Sequence, residues 1–265
     1  MKDKVVIITG ASSGIGLALA KEFAKHQAKL VLGARNIEKL QTLADELNTD
    51  AIAVKTDVSI EEDCQNLINK AIIKFGKIDI LINNAGISMR SLFIDTEISV
   101  IKKLMDVNFW GTVYCTKYAL PHLLETQGSV VAVSSIAGYK GLPARVGYSS
   151  SKFAIHGFLD VLRIENLKNN LHVMLLAPGF TKSNIRFTAL KGDGSVQGET
   201  PRDEDKMMSA EEVAEHTIKA IKKRKRELIL TTQGKLTVWL NKFFPAMMDK
   251  MVYNHMAKEP DSPFK

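Results

Sequence analysis

Val5-Val6-Ile7-Ile8-Thr9-Gly10-Ala11-Ser12-Ser13-Gly14-Ile15-Gly16 opens the chain, and these residues decide the fold. An apolar run of strand length runs straight into a glycine-rich turn. A helical pattern follows from Gly14 to His26. Glycines at such a strand–turn–helix junction let the backbone turn tightly and approach a pyrophosphate, whose charge meets the helix N-terminus. The G-x-x-x-G-x-G spacing differs from the common G-x-G-x-x-G by one residue inserted before the middle glycine. The apolar run is far too short to span a membrane, and no cleavage site follows it.

Outward from this junction, short apolar runs alternate with helical patterns. Strands are expected at Lys4–Thr9, Lys29–Ala34, Ala51–Lys55, Asp79–Asn83, Ser129–Ser134, Leu171–Ala177 and Glu227–Leu230. Helices are expected at Ile37–Asn48, Ile60–Phe75, Ile98–Met105, Phe109–Thr126, from Tyr148 to about Asn169-Asn170, and at Ala210–Lys223. Repeated β-α units imply a doubly wound α/β domain with a mostly parallel seven-stranded sheet, helices on both faces and right-handed crossovers. The catalytic and nucleotide-binding domain is placed at residues 1–231. Residues 182–208, rich in Gly, Asp, Glu, Ser and Lys, form a substrate loop or lid. Residues 232–265 form a C-terminal amphipathic helical extension that is not an independent domain.

Composition narrows the function classes. The 265 residues are 45% hydrophobic and 25% charged, which fits one large domain rather than disorder. Cys64 and Cys115 are too few for a disulfide scaffold, and no Cys or His spacing suggests a metal site. A reduced cytoplasmic setting is expected. The formal net charge is +7, and Ile221–Lys265 holds ten Lys/Arg against four Asp/Glu, or +6 of it. A solvated basic patch is the favoured reading of that excess, and no nucleic-acid partner is expected.

The remaining strand ends refine the ligand. The second strand ends Leu32-Gly33-Ala34-Arg35-Asn36, without the carboxylate that holds the adenosine 2′-hydroxyl of NAD. Arg35 can pair with a 2′-phosphate and Ser12 can add a hydroxyl, so NADP(H) is preferred and NAD(H) is the alternative. Asp57-Val58 follows the third strand, where Asp57 caps a helix or accepts from an adenine amino group. Asn83-Asn84-Ala85-Gly86 ends the fourth strand, where ligands bind in open α/β sheets.

Tyr148 and Lys152 stand four residues apart at the start of an apolar-periodic helix, so they share a face. An ammonium beside a phenol favours the phenolate, which makes Tyr148 a candidate general acid/base. Together Thr9–Gly16, Asn83–Gly86, Asn108, Ser135, Tyr148-x-x-x-Lys152 and Pro178-Gly179 resemble the short-chain dehydrogenase/reductase family over about residues 3–230.

The resemblance implies a Rossmann fold and a catalytic tetrad of Asn108, Ser135, Tyr148 and Lys152. Ser135 would bond the substrate oxygen and Tyr148 would exchange a proton with it. Lys152 would lower the tyrosine pKa and bind ribose hydroxyls, and Asn108 would hold a water linking Lys152 to solvent. The implied cofactor contacts are Gly10, Ser12, Ser13, Gly14, Ile15, Gly16, Arg35, Asn36, Asp57, Val58, Asn84, Ala85, Gly86, Tyr148, Lys152, Pro178, Gly179 and Thr181. The implied reaction interconverts a small-molecule carbonyl and an alcohol, in a homodimer or homotetramer built through the Tyr148 helix. Ser88, Met89, Gly138, Tyr139, Leu142 and the 181–208 loop are expected to face an apolar substrate.

In its tail, Leu236-x-x-Trp239-Leu240-x-x-Phe243, Pro245 and a Met-rich run follow the basic pentad Lys222–Arg226. This stripe packs on the domain or a second subunit, covers the substrate entrance, or touches a membrane surface peripherally. In this it resembles the branch that includes the 11-beta-hydroxysteroid dehydrogenases. The rival class is a dinucleotide-binding module with vestigial catalysis, docked through its basic tail onto a membrane or another polyanion.

Overall fold

The computed structural model describes residues 1–199, 207–258, 262 and 264, so parts of the 182–208 loop and of the 232–265 extension lie outside the described residues. Seven strands form the sheet: β1 (Val5–Thr9), β2 (Lys29–Ala34), β3 (Ala51–Lys55), β4 (Ile80–Asn83), β5 (Ser129–Val133), β6 (His172–Ala177) and β7 (Glu227–Ile229). Their order is β3-β2-β1-β4-β5-β6-β7, and every neighbouring pair is parallel, so the sheet is wholly rather than mostly parallel.

Helices α1 (Gly14–Lys25), α2 (Ile37–Glu46) and α7 (Ala210–Lys222) serve one apolar layer, in which Leu19, Phe23, Leu40, Val213 and Ile218 pack on Val6 and Ile8. Helices α3 (Glu61–Phe75), α5 (Gly111–Glu125) and α6 (Val146–Glu165) serve the other, where Leu67, Cys115 and Leu159 join Ile7. Alternation along β1 thus feeds both layers, which is why its sequence is apolar throughout.

Helix α4 (Ile98–Met105) does not stop before α5. A π-helical turn over Asp106–Trp110 carries one into the other and holds Asn108. Helix α6 ends at Glu165, earlier than expected, because a 3-10 turn (Leu167–Asn169) and a left-handed Asn170 (φ 53°) intervene before β6. The tail forms α8 (Thr232–Phe243) and α9 (Pro245–Ala257), joined through Phe244 alone.

The strand order reverses between β1 and β4, which opens a crevice at their carboxyl ends. The segments after β1, β4, β5 and β6 all emerge at that end of the sheet.

Candidate active site

The turn after β1 is built around close approach. Gly10 has φ +66° and Gly14 φ +54°, a region that side chains with a Cβ rarely adopt. A Cβ on Gly16 would overlap the Gly10 carbonyl oxygen. The turn is tied to β4 by Asn84, whose Nδ2 donates to the Thr9 carbonyl at 2.9 Å, while Thr9 Oγ1 accepts from the Asn84 and Ala85 amides at 3.0 Å. Ser13 precedes α1 without using its side chain as a cap. Its hydroxyl and the first amides of α1 are therefore available to an anion. Glycines without Cβ atoms, a helix N-terminus and free donors suit a dinucleotide pyrophosphate.

The two asparagines ending β4 have different jobs. Asn84 holds the glycine turn, whereas Asn83 turns into the core and donates to Thr116 Oγ1 at 3.0 Å. Asn83 Oδ1 is buried with no partner among the described residues.

At the end of β2, Asn36 caps α2 by accepting from the Lys39 amide at 2.9 Å. Arg35 is exposed, and among the described residues its guanidinium has no hydrogen-bond or ion-pair partner. It is therefore available to a phosphate. One oxygen of Asp57 is engaged locally. Its carboxylate accepts from the Ser59 amide at 3.0 Å and from Ser59 Oγ at 2.6 Å, which shapes the entry to α3. Val58 packs against Gly111 at the start of α5, where a Cβ would come within 2.8 Å of the valine.

Ser135 follows β5 and caps a 3-10 turn (Ile136–Gly138), with its Oγ accepting from the Ala137 amide at 3.2 Å. The same hydroxyl stands near the Tyr148 phenol and favours its ionised form. Tyr148 keeps a partly exposed edge, but protein surrounds its hydroxyl, and this desolvation raises its pKa above the ordinary phenol value. Ser135, and the charges of Arg145 and Arg186, act in the opposite direction.

Lys152 is 4% exposed, and burial pushes its ammonium down to about 8. Nζ donates to the Val133 carbonyl at 2.8 Å and lies 5.7 Å from the centroid of the Tyr148 ring. The close ammonium–phenol contact expected from helical spacing is not how the pair sits. Lys152 is anchored to the end of β5, and the charges that draw the phenol down come from the two arginines.

Asn108 is fully buried. Its Oδ1 accepts from the Ile87 amide at 2.8 Å, and its Nδ2 donates to the Ile87 carbonyl at 3.0 Å and to Ser151 Oγ at 2.9 Å. The side chain thereby fastens the segment after β4 to the helix carrying Tyr148 and Lys152. A Cβ on Gly86 would stand 3.2 Å from Asn108 Oδ1 and 3.5 Å from Lys152 Nζ, so the three residues share one small space.

Three expected substrate contacts are structural instead. Met89 is fully buried beside Val100, Leu104 and Leu190. Gly138 lies against His156, and a Cβ there would come 2.6 Å from Nε2. Tyr139 packs edge-on against the His156 ring at 4.5 Å and donates to Glu227, and burial together with that carboxylate holds its phenol well above the usual range. Ser88 is buried, while Leu142 is half-buried, and its amide donates to Ser149 Oγ at 3.2 Å.

His156, which showed no ligand spacing in the sequence, lies one turn beyond Lys152. Its Nε2 is 2.8 Å from Ser134 Oγ, next to Ser135, and burial lowers its pKa to about 4. Its i+4 relation to Lys152 was the legible signal. Arg145, three residues before Tyr148, donates to the Met89 carbonyl. Arg186 donates to the Thr181 carbonyl at 2.9 Å, and only the fold brings it to the phenol.

After β6, a Cβ on Gly179 would come 2.5 Å from Thr231 Oγ1. Thr231 has φ +63°, rare for a β-branched residue, and caps α8 by accepting from the Gly234 amide at 3.0 Å. Thr181 is buried, with Oγ1 donating to the Gly179 carbonyl at 3.2 Å. The start of α8 is thus fixed beside Pro178-Gly179.

Residues 4–192 match the family model described as short chain dehydrogenase. The chain is 35% identical to the mouse "Dehydrogenase/reductase SDR family member 7B" over 271 residues, covering 99% of this chain and 84% of that protein. It is 38% identical to the Arabidopsis thaliana "11-beta-hydroxysteroid dehydrogenase-like 4A" over 256 residues, covering 94% and 83%. Among solved structures, a Burkholderia phymatum short chain dehydrogenase/reductase in complex with NAD matches with a TM-score of 0.81 at 25% identity, covering 93% of this chain and 95% of that one. A Thermococcus sibiricus alcohol dehydrogenase complexed with 5-hydroxy-NADP matches with a TM-score of 0.73 at 26% identity, covering 86% and 96%.

Proposed function

The chain belongs to the short-chain dehydrogenase/reductase family, and we propose that it is an NADP(H)-dependent oxidoreductase interconverting an apolar ketone and its alcohol, with Tyr148 as general acid/base. One observation carries the mechanism. The Ser135 hydroxyl lies beside the Tyr148 phenol, close enough to lower its pKa, at the carboxyl end of the sheet, with buried Lys152 anchored behind them. Two neutral donors converging on one point suit an oxygen that gains negative charge during reduction. A positioned donor of this kind is worth about 3 kcal/mol on a transition state.

The bound nicotinamide supplies the hydride. The chain's own residues manage the proton. In reduction the Tyr148 hydroxyl gives its proton to the substrate oxygen while Ser135 donates to the same atom. The resulting phenolate is stabilised by the positive charges of Arg145 and Arg186, and a proton from solvent restores it. Asn108 supports the return path. Its side chain is committed to Ile87 and Ser151, so a water would take a backbone position at the π turn.

NADP(H) is preferred over NAD(H) because Arg35 is exposed, is unpartnered among the described residues and has no carboxylate beside it at the end of β2. The solved neighbours are complexed with ligands of both types, 5-hydroxy-NADP in one and NAD in the other. The proposal includes a homodimer or homotetramer, supported by Phe153, Val161 and Ile164, which leave an exposed apolar strip on α6. It also includes a cytoplasmic setting. The test of function is NADPH consumption across ketones, aldehydes, quinones and 3-oxoacyl thioesters. Turnover with at least one carbonyl class is expected, and no turnover with any class would contradict the proposal.

A further inference from the structure

The tail helices have two apolar faces. The inner one meets the domain. Met248 and Met256 are buried, and Gly234 packs on Ile136. Asn241 Nδ2 donates to the Tyr139 carbonyl at 2.9 Å, and Asp249 pairs with Lys140. The outer face is uncovered. Leu236, Trp239 and Phe243 repeat at i, i+3 and i+7 along α8, and Met247 and Met251 repeat at i, i+4 along α9. These residues and Phe244 at the joint are between 43% and 56% exposed. Packing on the protein's own domain therefore accounts for the inner face and not for the outer one.

Charge selects the occupant. Residues 232–258 contain Lys235, Lys242, Lys250 and Lys258 against one carboxylate, Asp249, which is already paired with Lys140. All four lysines are exposed, and Lys242 Nζ stands 5.8 Å from the Phe243 ring centroid. A second copy would bring two basic faces together. An anionic surface with an apolar interior matches both the charge and the aromatic stripe.

The basic pentad is not part of this surface. Arg224 is engaged by the Gln127 and Asn170 carbonyls and Arg226 by Asp160, at the amino ends of β5 and β6. Helix α8 begins at the opposite, carboxyl end of β7. Adjacency in sequence therefore overstated the pentad's share, and the tail's own lysines carry the charge.

We propose that the outer face of α8 and α9 is a peripheral docking surface for an anionic lipid bilayer, with the helices lying in the interfacial plane. Both helices are docked on the loop that follows Ser135, so the bilayer would lie beside the mouth of the candidate site. Apolar ketones concentrate in that phase. Only this last link rests on the proposed function. The binding test below reads no activity, so it can fail while the enzyme reading stands.

The chain has two tryptophans, so Trp110→Phe leaves Trp239 as the fluorescent reporter. Full-length protein is mixed with vesicles of phosphatidylcholine alone or of equal parts phosphatidylcholine and phosphatidylglycerol. Co-sedimentation and a blue shift of Trp239 are expected with the anionic vesicles only, weakening as salt rises. In the Trp239-containing background, Lys235→Ala and Lys242→Ala should each weaken partition about fivefold. Trp239→Ser with Phe243→Ser should abolish co-sedimentation with circular dichroism unchanged. Absence of binding to anionic vesicles would overturn the proposal. So would a concentration-dependent oligomer that is lost in the Trp239→Ser/Phe243→Ser variant, since a second copy would then cover this face.

Discussion

Lys152 Nζ donates to the Val133 carbonyl at 2.8 Å, which ties the ammonium to the strand that also presents Ser135. The bond holds a charge in a place from which burial would otherwise expel it, and the pKa falls to about 8. Lys152 is charged below that value and neutral above it. The kcat/KM for NADPH, which reports the cofactor-free enzyme, should therefore be flat below pH 8 and fall as pH rises beyond it. Lys152→Arg should move that limb out of the accessible range. An alkaline limb unchanged in this variant would assign it to another group.

Arg35→Asp replaces the candidate 2′-phosphate partner with a like charge. The KM for NADPH should rise roughly a hundredfold, equivalent to about 2–3 kcal/mol, with NADH changed by less than about threefold. Steady-state kinetics with both cofactors measure this directly. Equal losses for the two would remove the 2′-phosphate role.

His156 is held neutral by burial, with its folded pKa near 4 against 6.5 for the free side chain. Between those values the unfolded chain binds the proton and the folded chain resists it. Stability should therefore fall as pH drops from 6.5 toward 4 and level off below. His172 is also buried with a lowered pKa, so the comparison of wild type with His156→Leu isolates the His156 contribution. That variant should flatten the acid slope and cost about 1–3 kcal/mol by leaving Ser134 unpartnered. His156→Asn, which can still meet Ser134, should recover part of the loss. Urea melts across this range provide the measurement.

The strands and their order of use were legible because both faces of a parallel sheet are buried, so each strand is a plain apolar run bracketed by turn residues. The glycine turn, Arg35, Ser135, Tyr148 and Lys152 were legible for a related reason. Each lies at the carboxyl end of a strand or the start of a helix, where local sequence and position coincide. What was not legible depends on contacts between distant segments. Spacing put Lys152 and Tyr148 on one face, but the Val133 carbonyl 19 residues away decides where the ammonium goes. Arg186 reaches the phenol only through the loop after β6. Tyr139 and Met89 had the composition of pocket residues, and packing with His156 and Leu190 took them out of the pocket. The pentad Lys222–Arg226 and the tail stripe are neighbours in sequence, and β7 separates them onto opposite ends of the sheet.

The most direct test is Tyr148→Phe. It deletes one oxygen, keeps the ring against its neighbours, and removes the proposed proton donor. Turnover should fall about a thousandfold, while NADPH binding, followed by fluorescence titration, stays within about threefold of wild type. Turnover retained in this variant, or lost only in proportion to NADPH binding, would contradict Tyr148 as the general acid/base.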